Sequence, residues 1–163
     1  MPHTMQETRE LHFAEEVGLL WETHGAPRMA GRILGWLLIC DPPEQTATQI
    51  ADALHASKGS VSTNTRLLLH HMMIEKVPRT RDRGTLLRIS EGAWTQTLRA
   101  KVDHLTLFRE LAERGLDLVK DFEPARGSRL RELHDIYDFL EREYPLLLDR
   151  WEAERAARTT EEP

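Results

Sequence analysis

The chain has one cysteine among its 163 residues. That excludes an intrachain disulfide and any metal site built from several thiolates. The lone thiol, Cys40, ends the apolar run that starts at Ile33, and it reads as a small buried hydrophobe rather than a redox sensor. Long hydrophobic runs are also missing. The longest, around Leu37–Cys40, falls far short of the ~20 residues a spanning helix needs, so no membrane partner is expected. The stretch from Met1 to Glu7 lacks the basic and apolar segments of a signal peptide, and a cytoplasmic location is the expectation. A phosphate-binding glycine loop, a nucleophile elbow and paired catalytic carboxylates are absent too. The expectation is therefore no enzyme and no cofactor. Of the eight histidines, His70 and His71 are adjacent and point about 100° apart on a helix. His12, His24, His104 and His134 are isolated, so no metal site is expected.

The charge is small, −5, but unevenly placed. Between Ser57 and Ile89 seven basic side chains (Lys58, Arg66, Lys76, Arg79, Arg81, Arg83, Arg88) stand against two acidic ones, Glu75 and Asp82. The rest of the chain carries fifteen basic residues against twenty-five acidic. A basic segment on an acidic body draws one face towards a polyanion and turns the other away.

That basic segment has a legible order. Thr46, with Gln49 three residues on, forms a capping-box signature for a short helix carrying Ile50, Ala51 and Leu54. A tight turn at His55-Ala56 leads to Ser57, a natural N-cap for a second helix. On that helix Val61, Thr65, Leu68 and Met72 share one face, expected to pack inward. Gly59, Ser62, Thr63, Arg66 and His70 fall on the opposite, short and polar face. Two β-prone runs, Ile74–Val77 and Thr85–Ile89, flank a basic tip that ends in Gly84. Arg79, Arg81 and Arg83 alternate there, so their side chains leave on one side.

Two helices, a sharp turn and a basic hairpin are what a module needs to lay a helix in the major groove of double-stranded DNA. Arg66 has the geometry for guanine, Ser62 and Thr63 for bases or phosphates, and Asn64 for adenine or its own backbone. Ser57, Lys58, Gly59 and Ser60 surround the free N–H groups of a helix N-terminus, a phosphate site. The arginines of the tip suit flanking phosphates or a minor groove. The rival reading keeps the fold and changes the partner: a winged helix that docks a protein and has no sequence-specific DNA binding.

Around this module the spacing predicts long helices. Leu11, Ala14, Val17 and Trp21 mark a first helix, and a second opens at Pro27 and stops at Asp41-Pro42-Pro43. Trp94, Leu98, Val102, Leu105, Phe108 and Leu111 lie on one long helix after Gly92. Leu130, Leu133, Tyr137, Leu140, Tyr144, Leu147 and Trp151 alternate steps of three and four, the seam of a helix that packs along another. Pro145 inside the seam predicts a kink rather than a break. The fold class is thus mainly α with a small β-hairpin wing: a winged helix-turn-helix plus long dimerisation helices. The expected divisions are 1–26 as an N-terminal helix joining the dimer layer, 27–90 as the DNA-binding domain, 91–158 as the dimerisation region and 159–163 as a disordered tail. The dimer residues are expected to be Val17, Trp21, Leu98, Val102, Leu105, Leu133, Tyr137, Leu140, Tyr144, Leu147 and Trp151.

Several stretches resemble the MarR superfamily of bacterial transcriptional regulators, and within it the GbsR-like branch. They are Phe13-Ala-Glu-Glu-Val-Gly-Leu-Leu, Gly25-Ala-Pro-Arg-Met-Ala-Gly-Arg-Ile-Leu-Gly-Trp-Leu-Leu, Asp41-Pro-Pro-Glu-Gln and Ala56-Ser-Lys-Gly-Ser-Val-Ser-Thr-Asn-Thr-Arg-Leu-Leu. Arg129-Leu-Arg-Glu and Glu143-Tyr-Pro-Leu-Leu-Leu-Asp-Arg-Trp resemble it less specifically. The resemblance implies a homodimeric winged-helix repressor or activator whose terminal helices form the dimer layer, in a family whose members often respond to a small-molecule effector bound between the DNA-binding and dimer parts. A two-fold dimer in turn is expected to read a palindromic operator. One departure stands out: Met72-Met73 occupy the place where the family usually has a glycine closing the recognition helix. A choline-type ligand does not carry over. Trp21, Trp36, Trp94, Tyr137 and Trp151 sit at helical core spacing and are not set as an aromatic cage.

Overall fold

A computed structural model describes residues 5–78, 85–121 and 124–161. The chain divides into two compact units, one through Ala93 and one from Trp94 onward.

The first unit contains α1 (Met5–Thr23), α2 (Arg28–Ile39), α3 (Ala47–Ala53), α4 (Lys58–His70), β1 (Ile74–Pro78) and β2 (Thr85–Ile89). Ile33, Leu34, Ile50, Leu54, Val61 and Ile74 are its largest fully buried side chains; α4 packs against α3, β1 and α2, and α2 also meets β2. On its other side α2 meets α1 through small residues. A Cβ placed on Gly31 would lie 2.8 Å from Gly18 Cα, and one on Gly35 would lie 2.9 Å from Ala14 Cα. The two strands pair antiparallel with Ile74 opposite Ile89 and Pro78 opposite Thr85. Gln45 adds a one-residue third strand: its N–H reaches Leu87 O at 2.9 Å, and Leu87 N–H returns to Gln45 O at 2.8 Å.

The second unit contains α5 (Ala93–Arg99), α6 (Lys101–Val119) and α7 (Pro124–Glu161). The single long helix expected after Gly92 is interrupted at Ala100, between α5 and α6. No proline or glycine announces it. Ala100 keeps right-handed helical dihedrals (φ −61°, ψ −18°), and its N–H still reaches Gln96 O at 3.0 Å. Of the expected tail, α7 takes in the positions up to Glu161, and 162–163 lie outside the described residues. Arg158 lies 5.8 Å from the Trp151 ring centroid and 3.7 Å from Glu154 one turn back, contacts that favour the helical form. Pro145 sits inside α7 without ending it, as the unbroken phase of the seam predicts.

A polar ladder joins α6 to α7. Arg109 Nε meets Glu141, Thr106 Oγ1 donates to Glu141 at 2.8 Å, and Arg109 Nη1 lies 2.6 Å from Glu113. The ladder ends at His134, with Nε2 3.6 Å from Glu113 and Nδ1 3.1 Å from Asp135. The hydrogen bond to Asp135 leads in raising the His134 pKa above its ordinary 6.5. A raised folded-state pKa means the stabilisation is full below the unfolded value and disappears as pH rises through the folded one. The thermal midpoint should therefore fall as pH is raised from about 6 to about 8, and His134→Gln should flatten that slope. Melts followed by circular dichroism across that range check it.

Candidate nucleic-acid interface

The helix-turn-helix is set by local capping. Thr46 Oγ1 accepts from Gln49 N–H at 3.1 Å while Gln49 Oε1 takes the Thr46 N–H at 2.8 Å, a reciprocal box that starts α3. The helix ends at Leu54, whose carbonyl accepts from Arg32 of α2 at 2.9 Å. Arg32 also lies 2.9 Å from Glu15 of α1, so one guanidinium ties the turn to both outer helices. His55 then takes a left-handed φ of 49° and swings the chain. Ser57 Oγ accepts from Ser60 N–H at 3.2 Å and opens α4.

On α4 the inward face is Val61, Thr65 and Leu68, all buried. Thr65 donates back to the Val61 carbonyl at 2.8 Å, which satisfies its hydroxyl inside the core. Gly59, Ser62, Thr63, Arg66 and His70 are exposed, as the helical phase predicts. Lys58 is exposed beside the cap, and Ser60 is half-buried. Asn64 is half-buried and its amide donates to Ser60 O at 2.8 Å, the backbone bond named among its expected roles.

The end of α4 is where the sequence departs from its family pattern. Met72 takes a left-handed φ of 55°. Its N–H bonds Leu69 O at 3.1 Å, and Met73 N–H bonds Leu68 O at 3.0 Å. This is a Schellman cap, with methionine in the place glycine normally fills. It corrects the expectation that Met72 packs inward: the reversed backbone leaves Met72 56% exposed and buries Met73.

In the wing, Glu75 stands opposite Arg88 in the strand register. Arg88 lies 2.6 Å from Glu75 and 3.1 Å from Glu44. The Glu75 hydrogen bond leads in holding the Arg88 guanidinium charged. Arg88 belongs to the basic excess of the segment, yet its charge is met within the chain. Lys58, Arg66 and Lys76 show no ion pair among the described residues. Arg79, Arg81 and Arg83, the expected wing contacts, lie outside the described residues. Cys40 is half-buried, and burial leads in pushing its thiol pKa up.

A family model described as MmpR5-like MarR family transcriptional regulator matches residues 92–154. The HTH-type transcriptional regulator MmpR5 of Mycobacterium tuberculosis is 37% identical over 131 residues, covering 80% of this chain and 79% of that protein. The chain belongs to the MarR family. A crystal structure of a transcriptional regulator is 35% identical, with a TM-score of 0.73, and the match covers 89% of this chain and 99% of that one. The family is one of DNA-binding transcriptional regulators and not of enzymes. The expected winged-helix fold and MarR membership both hold, while the finer GbsR-like assignment stays a resemblance. Among the described residues no helix is long and apolar enough to cross a membrane.

The helices after the wing carry the family-model match, and this MarR chain leaves much apolar surface on them. Tyr137 stacks on Phe108 at 4.8 Å between centroids, so part of the expected seam is satisfied inside the unit. Leu133, Leu140, Tyr144, Val102 and Leu105 are half-buried; Leu98, Leu147 and Trp151 are exposed. Exposed too are Leu111 on α6, which the helical spacing includes, and Ile136, Phe139 and Leu146 on α7 and Leu107 on α6, which it does not single out. The reason is that α7 has two apolar stripes, one facing α6 and one open. In the first unit, Val17 and Trp21 contact the glycines of α2.

Proposed function

We propose that the chain is a homodimeric repressor that reads a palindromic operator in the cytoplasm. Residues 27–90 form the DNA module and 91–158, with the N-terminal helix, the dimer layer. In this reading α4 enters the major groove. Arg66, Ser62 and Thr63 face base edges. Ser57, Lys58, Gly59 and Ser60 take a phosphate at the α4 N-terminus. Arg79, Arg81 and Arg83 brace the wing on flanking phosphates or a minor groove. MarR-family regulators bind DNA and act as dimers, which supports the two-fold arrangement. Control by a small molecule rests on the family resemblance alone.

The observation that carries the reading is the exposed polar face of α4, with Arg66 uncommitted beside a capped N-terminus. Arg66→Ala is expected to cost about 1–3 kcal/mol on the cognate site and to relax preference at one base pair, with folding unchanged. Loss of the fold with base preferences intact would mean that α4 is rotated. Alanine at Arg79, Arg81 and Arg83 together should weaken binding to every sequence. It should also flatten the slope of log affinity against log salt, by roughly 0.9 for each phosphate that the wing no longer neutralises. An unchanged salt slope would remove the wing from the interface.

A further inference from the structure

The open stripe of α7 carries two charges in a telling order. Glu143 and Arg150 are seven residues apart, hence on one face of the helix. Between them lie Leu146 and Leu147, 61% and 49% exposed. Phe139 and Ile136 extend the stripe towards the α7 N-terminus. A groove of about 440 Å³ takes in Phe139, Glu143, Leu146, Leu147 and Arg150. The neighbouring charges are spoken for within the chain: Arg142 lies 2.7 Å from Asp138, and Asp149 lies 2.6 Å from Arg99. Glu143 and Arg150 show no such partner among the described residues.

An apolar pair flanked by a carboxylate on one side and a guanidinium on the other is self-complementary in one orientation only. Laid parallel on a copy of itself, it sets Glu143 against Glu143 and Arg150 against Arg150. Laid antiparallel about a two-fold axis between Leu146 and Leu147, it sets each Glu143 against the partner copy's arginine while the leucines meet in the middle. Such an interface is isologous, so one charge pair on the chain becomes two in the dimer.

We propose that α7 pairs antiparallel with α7 of a second copy, its two-fold axis passing between Leu146 and Leu147 and closed by reciprocal Glu143–Arg150 ion pairs. The register rests on the dimer reading above and sharpens it. Along α7 the arrangement also sets Ile136 opposite Ala157, a large side chain over a small one, which lets the helices approach closely.

Sedimentation equilibrium of the full chain, at low and high salt, tests the register by charge reversal. Glu143→Arg and Arg150→Glu should each weaken the dimer about tenfold or more at low salt, because each puts two like-charged contacts across the axis. The double reversal should restore most of that loss, and high salt should shrink all the differences. If the wild type and both single variants dimerise equally, or if the double variant is no better than the worse single one, the register is overturned while the dimer stands. A wild type that stays monomeric at all concentrations would overturn the dimer reading itself. Circular dichroism on each variant confirms that weakened association is not unfolding.

Discussion

Phe139→Glu together with Leu146→Glu is expected to leave each chain folded, to dissociate the dimer and to abolish operator binding. Both side chains are about half exposed or more in the single chain (49% and 61%), so replacing them opens no cavity in its own core. In a dimer that buries the open stripe of α7, the same changes trap four carboxylates at an apolar contact. Buried charges without partners are strongly destabilising, several kcal/mol in ordinary cases, which exceeds what a micromolar dimer can lose. One winged helix reads too few base pairs for useful specificity, and two half-sites about one helical turn apart need both copies. Operator affinity should therefore disappear although Arg66, Ser62 and Thr63 are untouched. Sedimentation equilibrium checks it: the wild type should exceed the 18.9 kDa of one chain, and the variant should match it. A variant that remains dimeric would place the interface elsewhere. Leu140→Glu is the poorer choice, since Leu140 is half-buried and its loss would confound unfolding with dissociation.

Much of the DNA-binding part is legible in the sequence because it is local. The Thr46–Gln49 box, the Ser57 cap and the inward set Val61, Thr65 and Leu68 depend on residues a few positions apart, and spacing alone finds them. What depends on distant partners is not. Nothing near Gln45 marks it as a third strand, because its partner Leu87 is forty-two residues away and comes into reach only when the hairpin closes. By composition Arg88 belongs to the basic face; the register brings Glu75 opposite it and the fold brings Glu44 alongside. Helical phase alone puts Met72 in the core, yet the phase stops one residue earlier, where the chain takes a left-handed turn that methionine seldom adopts. On α7 the three-four pattern reveals that the helix packs, but not with what. Tyr137 answers to Phe108 in the same chain, while Phe139 and Leu146 on the other stripe await a different surface.

Gly31→Val is expected to destabilise the first unit strongly, and with it to weaken DNA binding, from a site that no nucleic acid would touch. The cause is the approach of α1 to α2. A Cβ on Gly31 would sit 2.7 Å from Trp21 Cβ and 2.8 Å from both Gly18 Cα and the Val17 carbonyl oxygen. Two of those three are backbone atoms and cannot rotate away, so the helices must separate. Separation uncovers Ala14, Ala30 and Leu34, which are almost wholly buried at this junction. It also strains the link from Glu15 through Arg32 to the Leu54 carbonyl that fixes the turn ahead of α4. Overpacking of a well-filled core typically costs about 1–3 kcal/mol, and a branched side chain against backbone lies at or beyond the upper end. Against a total stability of roughly 5–15 kcal/mol, that is a large share of what holds α4 in place. Gly59→Ala is the control for the melts alone, since Gly59 belongs to the proposed phosphate site. Its Cβ meets nothing within 4 Å, and it exchanges glycine for alanine inside α4. The control should raise the thermal midpoint slightly, by the roughly 0.5–1 kcal/mol that alanine gains over glycine in a helix. Thermal melts and duplex retention measured side by side decide it. A Gly31→Val protein that melts with the wild type would mean that α1 is not seated on α2, and the platform beneath the recognition helix would have to be redrawn.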